Sequence, residues 1–204
     1  MAKIETVDYE AIPGQASSMR SSGQQLNSEL TTVYQSIGDM HASWYGVRYN
    51  SLVTSFNEIV ETLNEMLQLV VTDIPVALET VANNYSQADT GNSVTTVDNT
   101  EPNKITELTI TDDVGMRFIT SDVQAVQSSV SQNFSNAVEQ MNTIESIFNS
   151  ITWESEAAEA FRSKFNELKE TITSSFENIK EEFVTLMEET QEDVQNAETA
   201  NTVS

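Results

Sequence analysis

The two tryptophans of the chain occupy equivalent places in its two halves. Each lies in a short polar break between two long amphipathic runs, first in Ser43-Trp44-Tyr45-Gly46 and later in Thr152-Trp153-Glu154-Ser155. They are the only two tryptophans in 204 residues. Because a large aromatic residue recurs at the turn of each half, the pattern indicates one helical hairpin that occurs twice.

Four runs of apolar residues at steps of three and four predict four amphipathic helices, one on either side of each tryptophan. The fold class that follows is all-α: two tandem helical hairpins that shield each other in a four-helix bundle. The residues of the four seams include Leu26, Leu30, Val33, Ile37 and Met40; Leu52, Phe56, Ile59, Leu63, Met66, Val70 and Leu78; Val123, Val126, Val130, Phe134, Val138, Met141, Ile144 and Phe148; and Phe161, Phe165, Leu168, Ile172, Phe176, Ile179, Phe183 and Met187.

Breaks in this periodicity divide the chain into a first hairpin over 1–90, a linker over 91–111 and a second hairpin over 112–204. The linker collects Thr, Asn and Asp together with Pro102, a composition typical of irregular chain. Its residues 105–110 are rich in β-formers and predict at most a marginal lone strand. Asp112-Asp113 suit the start of the third helix, and Ser155 suits the N-cap of the fourth.

Pro75 interrupts the second predicted helix. A proline inside a helix removes one backbone hydrogen bond and clashes with the preceding turn. Two outcomes remain open at this point: a kink, or a break after which the helix restarts with Asp73 as its N-cap.

The charge and the residue inventory exclude several classes of function. Nine Lys and Arg against 32 Asp and Glu give a formal charge of −23, which disfavours nucleic acids and anionic membranes as partners. With no cysteine and one histidine, His41, the chain lacks the ligand and nucleophile patterns of metal sites and catalytic centres. We therefore predict no catalytic, cofactor-binding or metal-binding residue, and a surface or hydrogen-bonding role for His41.

The N-terminal segment and the apolar runs bear on localisation. Residues 1–8 contain no continuous apolar segment of the kind that a secretory signal peptide requires. The longest apolar stretch, near Met66 to Val71, is too short to span a bilayer. We expect that any export of the chain follows a route independent of a signal peptide.

The first hairpin resembles the WXG family, the small Esx-type helical-hairpin proteins exported by bacterial type VII secretion. That family carries Trp-x-Gly in the hairpin turn, matched here by Trp44 and Gly46, and Tyr-x-x-x-Asp/Glu after the second helix, matched by Tyr85 and Asp89. The second half resembles a divergent copy. Trp153 lies in its turn, Ser155 replaces the glycine, and its final helix contains no tyrosine.

The resemblance implies how the two halves pair. Family dimers pack their hairpins antiparallel, so we expect an antiparallel bundle, formed within one chain or between the chains of a homodimer. The linker is long enough to reach from one end of the bundle to the other. Trp153 would then approach Tyr85 and Asp89 as part of a composite surface.

The function implied by the resemblance is that of a secreted substrate of the type VII apparatus, cytoplasmic before export, with Tyr85 and Asp89 as its secretion signal. It would act by protein contacts, as an effector or as a co-secreted targeting partner. The expected partners are the secretion ATPase or translocon and a larger co-secreted effector. The alternative is a cytoplasmic helical chaperone or adaptor for a larger toxin cargo that is not itself secreted. A third hypothesis, a membrane-perturbing helical protein, is disfavoured by the charge.

Overall fold

The structure, a computed structural model, describes residues 7–201 and confirms the all-α fold. The ends of the two predicted hairpins, residues 1–6 and 202–204, lie outside that part, and so does most of the N-terminal segment discussed above. In chain order the elements are α1 (Ile12–Asp39), a 3-10 turn (Met40–Ala42), β1 (Trp44–Tyr45), α2 (Val47–Asn57), α3 (Val60–Gln68), a π-helical turn (Leu69–Asp73), α4 (Ile74–Thr90), β2 (Arg117–Phe118), α5 (Thr120–Ser150) and α6 (Glu156–Asn201).

The two hairpins pack antiparallel. Near the start of α1, the Gln15 side-chain amide donates to the Ser150 carbonyl at the end of α5, at 3.2 Å. At the other end, the Ser43 hydroxyl donates to Asp122 in the first turn of α5, at 2.9 Å. The turn of each hairpin therefore lies beside the open end of the other. We call the end that holds the Trp44 turn the tip, and the end that holds the Trp153 turn the base.

The four seams meet in one core, as the periodicity predicts. All of the seam residues named above are buried except Val126, Val138 and Phe161, which are half-buried. In the middle of the second hairpin, Phe134 of α5 stacks on Phe176 of α6 with ring centroids 4.1 Å apart. Full burial of one such side chain contributes about 1.5–3 kcal/mol, so apolar packing is the main source of stability of the bundle.

The helical run through Pro75 is unbroken. Just before it the backbone widens into the π-helical turn, where the N–H of Ile74 bonds to the carbonyl of Leu69, five residues back. Such a turn accommodates a residue that cannot donate a helical hydrogen bond. Asp73 has helical backbone angles and its side chain caps no helix, so the prediction of a restart with Asp73 as N-cap is wrong.

The linker is held along the first hairpin by asparagine side chains. Asn50, Asn57 and Asn64, spaced seven residues apart on α2 and α3, form what we call the asparagine ladder. Each side-chain amide donates to the carbonyl and accepts from the N–H of a single linker residue: Thr111, Leu108 and Ile105, respectively. The backbone groups at these linker positions therefore bond to side chains. Within residues 7–201, the predicted marginal strand at 105–110 pairs with no other strand.

The spacing of the ladder matches the spacing of the bonded residues. Seven helical residues rise about 10.5 Å, and three extended residues span about 10 Å. The order of the pairs shows that the linker runs antiparallel to α2 and α3, from base to tip. Asn27 of α1 makes the same two bonds to Asn103, so the linker contacts both helices of the hairpin.

A buried ion pair fixes the linker nearer the base. Arg20 of α1 and Glu79 of α4 form two hydrogen bonds, at 2.9 and 3.1 Å, and both side chains are almost fully buried. Arg20 also donates to the carbonyl of Asp98, and Glu79 accepts from its N–H, each at 2.8 Å. The ion pair and its two hydrogen bonds to Asp98 therefore join α1, α4 and the linker.

The third helix begins later than predicted. α5 starts at Thr120, whereas the sequence favoured a start directly after Asp112-Asp113. The reason is that the chain between them is engaged at the tip: Asp113 bonds to His41, and β2 pairs antiparallel with β1, with Trp44 opposite Phe118. The residues after 111 therefore complete the first turn before the second hairpin begins.

Candidate functional site

The Trp44 turn is built around a buried indole. Trp44 is 1% exposed, and its ring lies 6.2 Å from that of Tyr49, 5.7 Å from that of Phe118 and 5.9 Å from that of Phe183, centroid to centroid. Phe183 belongs to α6, so the turn residue of the first hairpin packs against the second hairpin. The indole is therefore part of the interface between the hairpins.

Gly46 is required by the backbone of this turn. Its φ is 124°, and it is the N-cap of α2, whose first turn closes with the Asn50 N–H bonding to the Gly46 carbonyl at 3.1 Å. A residue with a Cβ is strained at that angle. The Trp-x-Gly pattern thus combines an interface anchor with the backbone angle that starts the returning helix.

The Trp153 turn uses different chemistry for the same task. Trp153 is 4% exposed, forms an isolated antiparallel bridge with Val7, and lies 6.3 Å from the ring of Phe161. Two residues later, the Ser155 hydroxyl accepts a hydrogen bond from the Ala158 N–H at 3.1 Å, which confirms Ser155 as the N-cap of α6. Within residues 7–201 only glycines have positive φ, so Ser155 caps with its side chain and needs no glycine-like angle.

Tyr85 and Asp89 lie in the last turns of α4, at the base. Tyr85 is half-buried and Asp89 is exposed. The Asp89 carboxylate accepts a hydrogen bond from the hydroxyl of Tyr9, and this bond is the main reason that the pKa of Tyr9 is raised. Tyr9 was not predicted as a site residue, because no local pattern connects two residues 80 positions apart.

Trp153 reaches the same end of the bundle, but it does not lie on its surface. Val7 pairs with Trp153, and Tyr9, two residues further on, bonds to Asp89. The predicted proximity therefore has a structural basis in the segment before α1. The predicted composite surface is wrong for the indole itself, since the side chain of Trp153 is buried and packs under the turn.

His41 has a hydrogen-bonding role at the tip, as predicted. Its Nε2 lies 2.6 Å from an Asp113 carboxylate oxygen and 3.3 Å from the Thr111 hydroxyl. Hydrogen bonds from Thr111, and then from His41, lower the pKa of Asp113. Burial raises the pKa of neighbouring Tyr49 to about 12, with smaller contributions from Asp113 and Asp39. This cluster joins the end of the linker to the first turn.

Two features of the described residues concern metal sites and membrane-spanning helices. Over residues 7–201, no three His, Asp or Glu side chains are grouped so that they could hold a metal ion. Across the same residues, each helix is too short or too polar to cross a bilayer. The features that stand out are contacts between helices.

A comparison with known protein families finds a match for the first hairpin. Residues 6–90 match the model of the WXG100 family, described as proteins of 100 residues with WXG. The matched segment contains Trp44, Gly46, Tyr85 and Asp89, and it confirms the resemblance inferred from the sequence. No curated protein and no solved structure matches the chain. That the second hairpin is a further copy stays a prediction.

Proposed function

We propose that this chain is a secreted substrate of the type VII apparatus, because its residues 6–90 match the WXG100 family model and that family is associated with type VII secretion. It acts by protein contacts, as an effector or as a co-secreted targeting partner, and the secretion ATPase or translocon is its first partner. The family match is the observation that carries the proposal. The family consists of helical secretion substrates and is not enzymatic.

The antiparallel arrangement supports a single-chain equivalent of a family dimer. Trp44 of the first hairpin packs on Phe183 of the second, and the third residue of each tryptophan motif is an N-cap, Gly46 in one and Ser155 in the other. A serine that caps with its hydroxyl performs the same task as a glycine with a positive φ. The loss of the second glycine is therefore compatible with a divergent copy.

We assign the secretion signal to Tyr85 and Asp89. Residues four apart lie on one face of a helix, so a receptor could grip one aromatic ring and one carboxylate in a fixed relation. The exposure of Asp89 at the end of α4 supports this role. Tyr9 adds a second aromatic residue beside the carboxylate, which we include in the proposed recognition surface.

A secretion assay tests the proposal. In a strain that carries the apparatus, Tyr85→Ala and Asp89→Ala, made separately, should remove the protein from the culture supernatant while intracellular level and far-UV helicity stay unchanged. Glu101→Ala, which removes an exposed carboxylate from the linker, is the matched control and should be exported normally. Undiminished export of both variants would refute the signal. Retention of the unaltered chain in the cytoplasm, with an active apparatus, would favour the chaperone or adaptor alternative.

A further inference from the structure

A groove runs over the outward face of α3, and we call it the lateral groove. Its floor includes Val60 and Leu69, the linker forms one side at Pro102, and the first turns of α6 form the other at Ala160 and Phe161. The cavity volume is about 850 Å³. This lies within the range of about 300–1,000 Å³ that is typical of ligand pockets in proteins.

The lining of the lateral groove includes apolar residues from both hairpins. The π-helical turn that accommodates Pro75 supplies two lining residues, Leu69 and Asp73. Phe161 lines the groove as a half-buried aromatic residue, whereas most apolar residues of its seam are fully buried. Phe161 also lies 6.3 Å from the ring of Trp153, and the part of its side chain that stays exposed gives the groove an apolar contact surface.

The charges around the groove are unbalanced. Lys164 of α6 is paired with Glu65 of α3 at 2.6 Å across the groove, and this bond raises the pKa of Lys164. The remaining charged groups of the lining are three acids, Glu61, Asp73 and Glu107, and one base, Lys104. The rim is therefore complementary to a positively charged partner, in a chain whose overall charge of −23 attracts such partners.

We propose that the lateral groove is a docking site for an apolar, basic peptide segment of another protein. Its apolar side chains enter between Leu69 and Phe161, and its Lys or Arg side chains meet the acidic rim. This is the helix-in-groove mode of recognition, in which apolar anchors give affinity and rim charges select the partner. The site is separate from Tyr85 and Asp89, so it is tested without reference to export.

The test uses the full chain and a defined probe. The probe is a fluorescein-labelled peptide of leucines and lysines at amphipathic helical spacing, and binding is followed by anisotropy at physiological salt. We expect saturable binding with one peptide per chain. Ala160→Trp, which fills the groove from the exposed face of α6, should weaken binding at least tenfold. Ala157→Trp, a substitution at another exposed alanine of α6 that does not line the groove, should leave it unchanged.

A charge series separates docking from general attraction to an acidic protein. Neutralising the rim with Glu61→Gln, Asp73→Asn and Glu107→Gln together should weaken binding at least fivefold. Neutralising three exposed glutamates of α6, Glu181, Glu188 and Glu192, changes the net charge equally and should have less than a twofold effect. The proposal is overturned by an absence of saturable binding, by equal loss in the two charge variants, or by binding that Ala160→Trp and Ala157→Trp affect alike. The charge series also decides the matter if Ala160→Trp fails to fold.

Discussion

Asn57→Ala should destabilise the protein by removing the middle rung of the asparagine ladder. The side chain donates to the Leu108 carbonyl at 2.9 Å and accepts from the Leu108 N–H at 2.8 Å. Each hydrogen bond contributes a net of about 0.5–1.5 kcal/mol, so the rung is worth about 2 kcal/mol. The higher helix propensity of alanine stabilises the variant by about 0.5 kcal/mol. The expected net loss is about 1.5 kcal/mol in the free energy of unfolding.

Urea unfolding followed by circular dichroism measures this loss, and native-state hydrogen exchange locates it. Asn166→Ala is the matched control, because Asn166 is exposed on α6 and its replacement brings the same gain in propensity without touching the linker. In Asn57→Ala the amide of Leu108 should exchange faster than in the parent chain. Equal stability of the two variants, together with unchanged exchange at Leu108, would show that the ladder does not hold the linker.

Three further outcomes follow from the structure. Sedimentation at micromolar concentration should give a monomer of 22.6 kDa, and a stable dimer would contradict pairing within one chain. Ser155→Ala should lower the free energy of unfolding by about 1 kcal/mol, but Ser155→Gly by only about 0.3 kcal/mol. Gly46→Ala should lower it by about 1–2 kcal/mol because of the positive φ at that position. Urea titrations that rank these variants otherwise would refute the N-cap assignments. Hydrogen bonds from Thr111 and His41 hold the folded pKa of Asp113 below its ordinary value of 3.8. The stabilising contribution of its carboxylate is therefore present above that value and is lost as the pH falls through the folded pKa. The difference in urea midpoint between the parent chain and Asp113→Asn should shrink as the pH is lowered, and a difference that grows would show that the carboxylate does not stabilise the fold.

The sequence predicted the features that depend on local pattern. The apolar spacing predicted the four helices and the polar breaks predicted both turns, because helix amphipathicity and turn formation depend on residues that are close in the sequence. Ser155 was recognisable as an N-cap for the same reason. The antiparallel packing of the two hairpins was expected only from the family resemblance.

The features that escaped prediction depend on distant partners. In the sequence, the residues of the asparagine ladder fit the polar face of a solvent-exposed helix, and only the arriving linker shows their role. Asp113 has the character of a helix cap, yet His41 and the short sheet engage this part of the chain instead. Tyr9 bonds to Asp89 at the base, although the two residues are 80 positions apart in the sequence. In each case the deciding contact is non-local. Only the ladder has a regular spacing in the sequence, of seven residues, and that spacing alone does not identify its partner.

The asparagine ladder recognises only peptide groups, and this sets what can change in the linker during evolution. Substituting the side chain at 105, 108 or 111 with any residue other than proline keeps the bonded carbonyl and N–H in place. Three linker residues span about the same distance as seven helical residues. Adding or deleting one residue between positions 105 and 111 therefore moves the later linker residues out of reach of their asparagine partners. Homologous linkers should therefore conserve the length between the rungs more strictly than their exposed side chains. Ile105, which is 4% exposed, and Thr111, whose hydroxyl lies beside His41, should vary less than the rest.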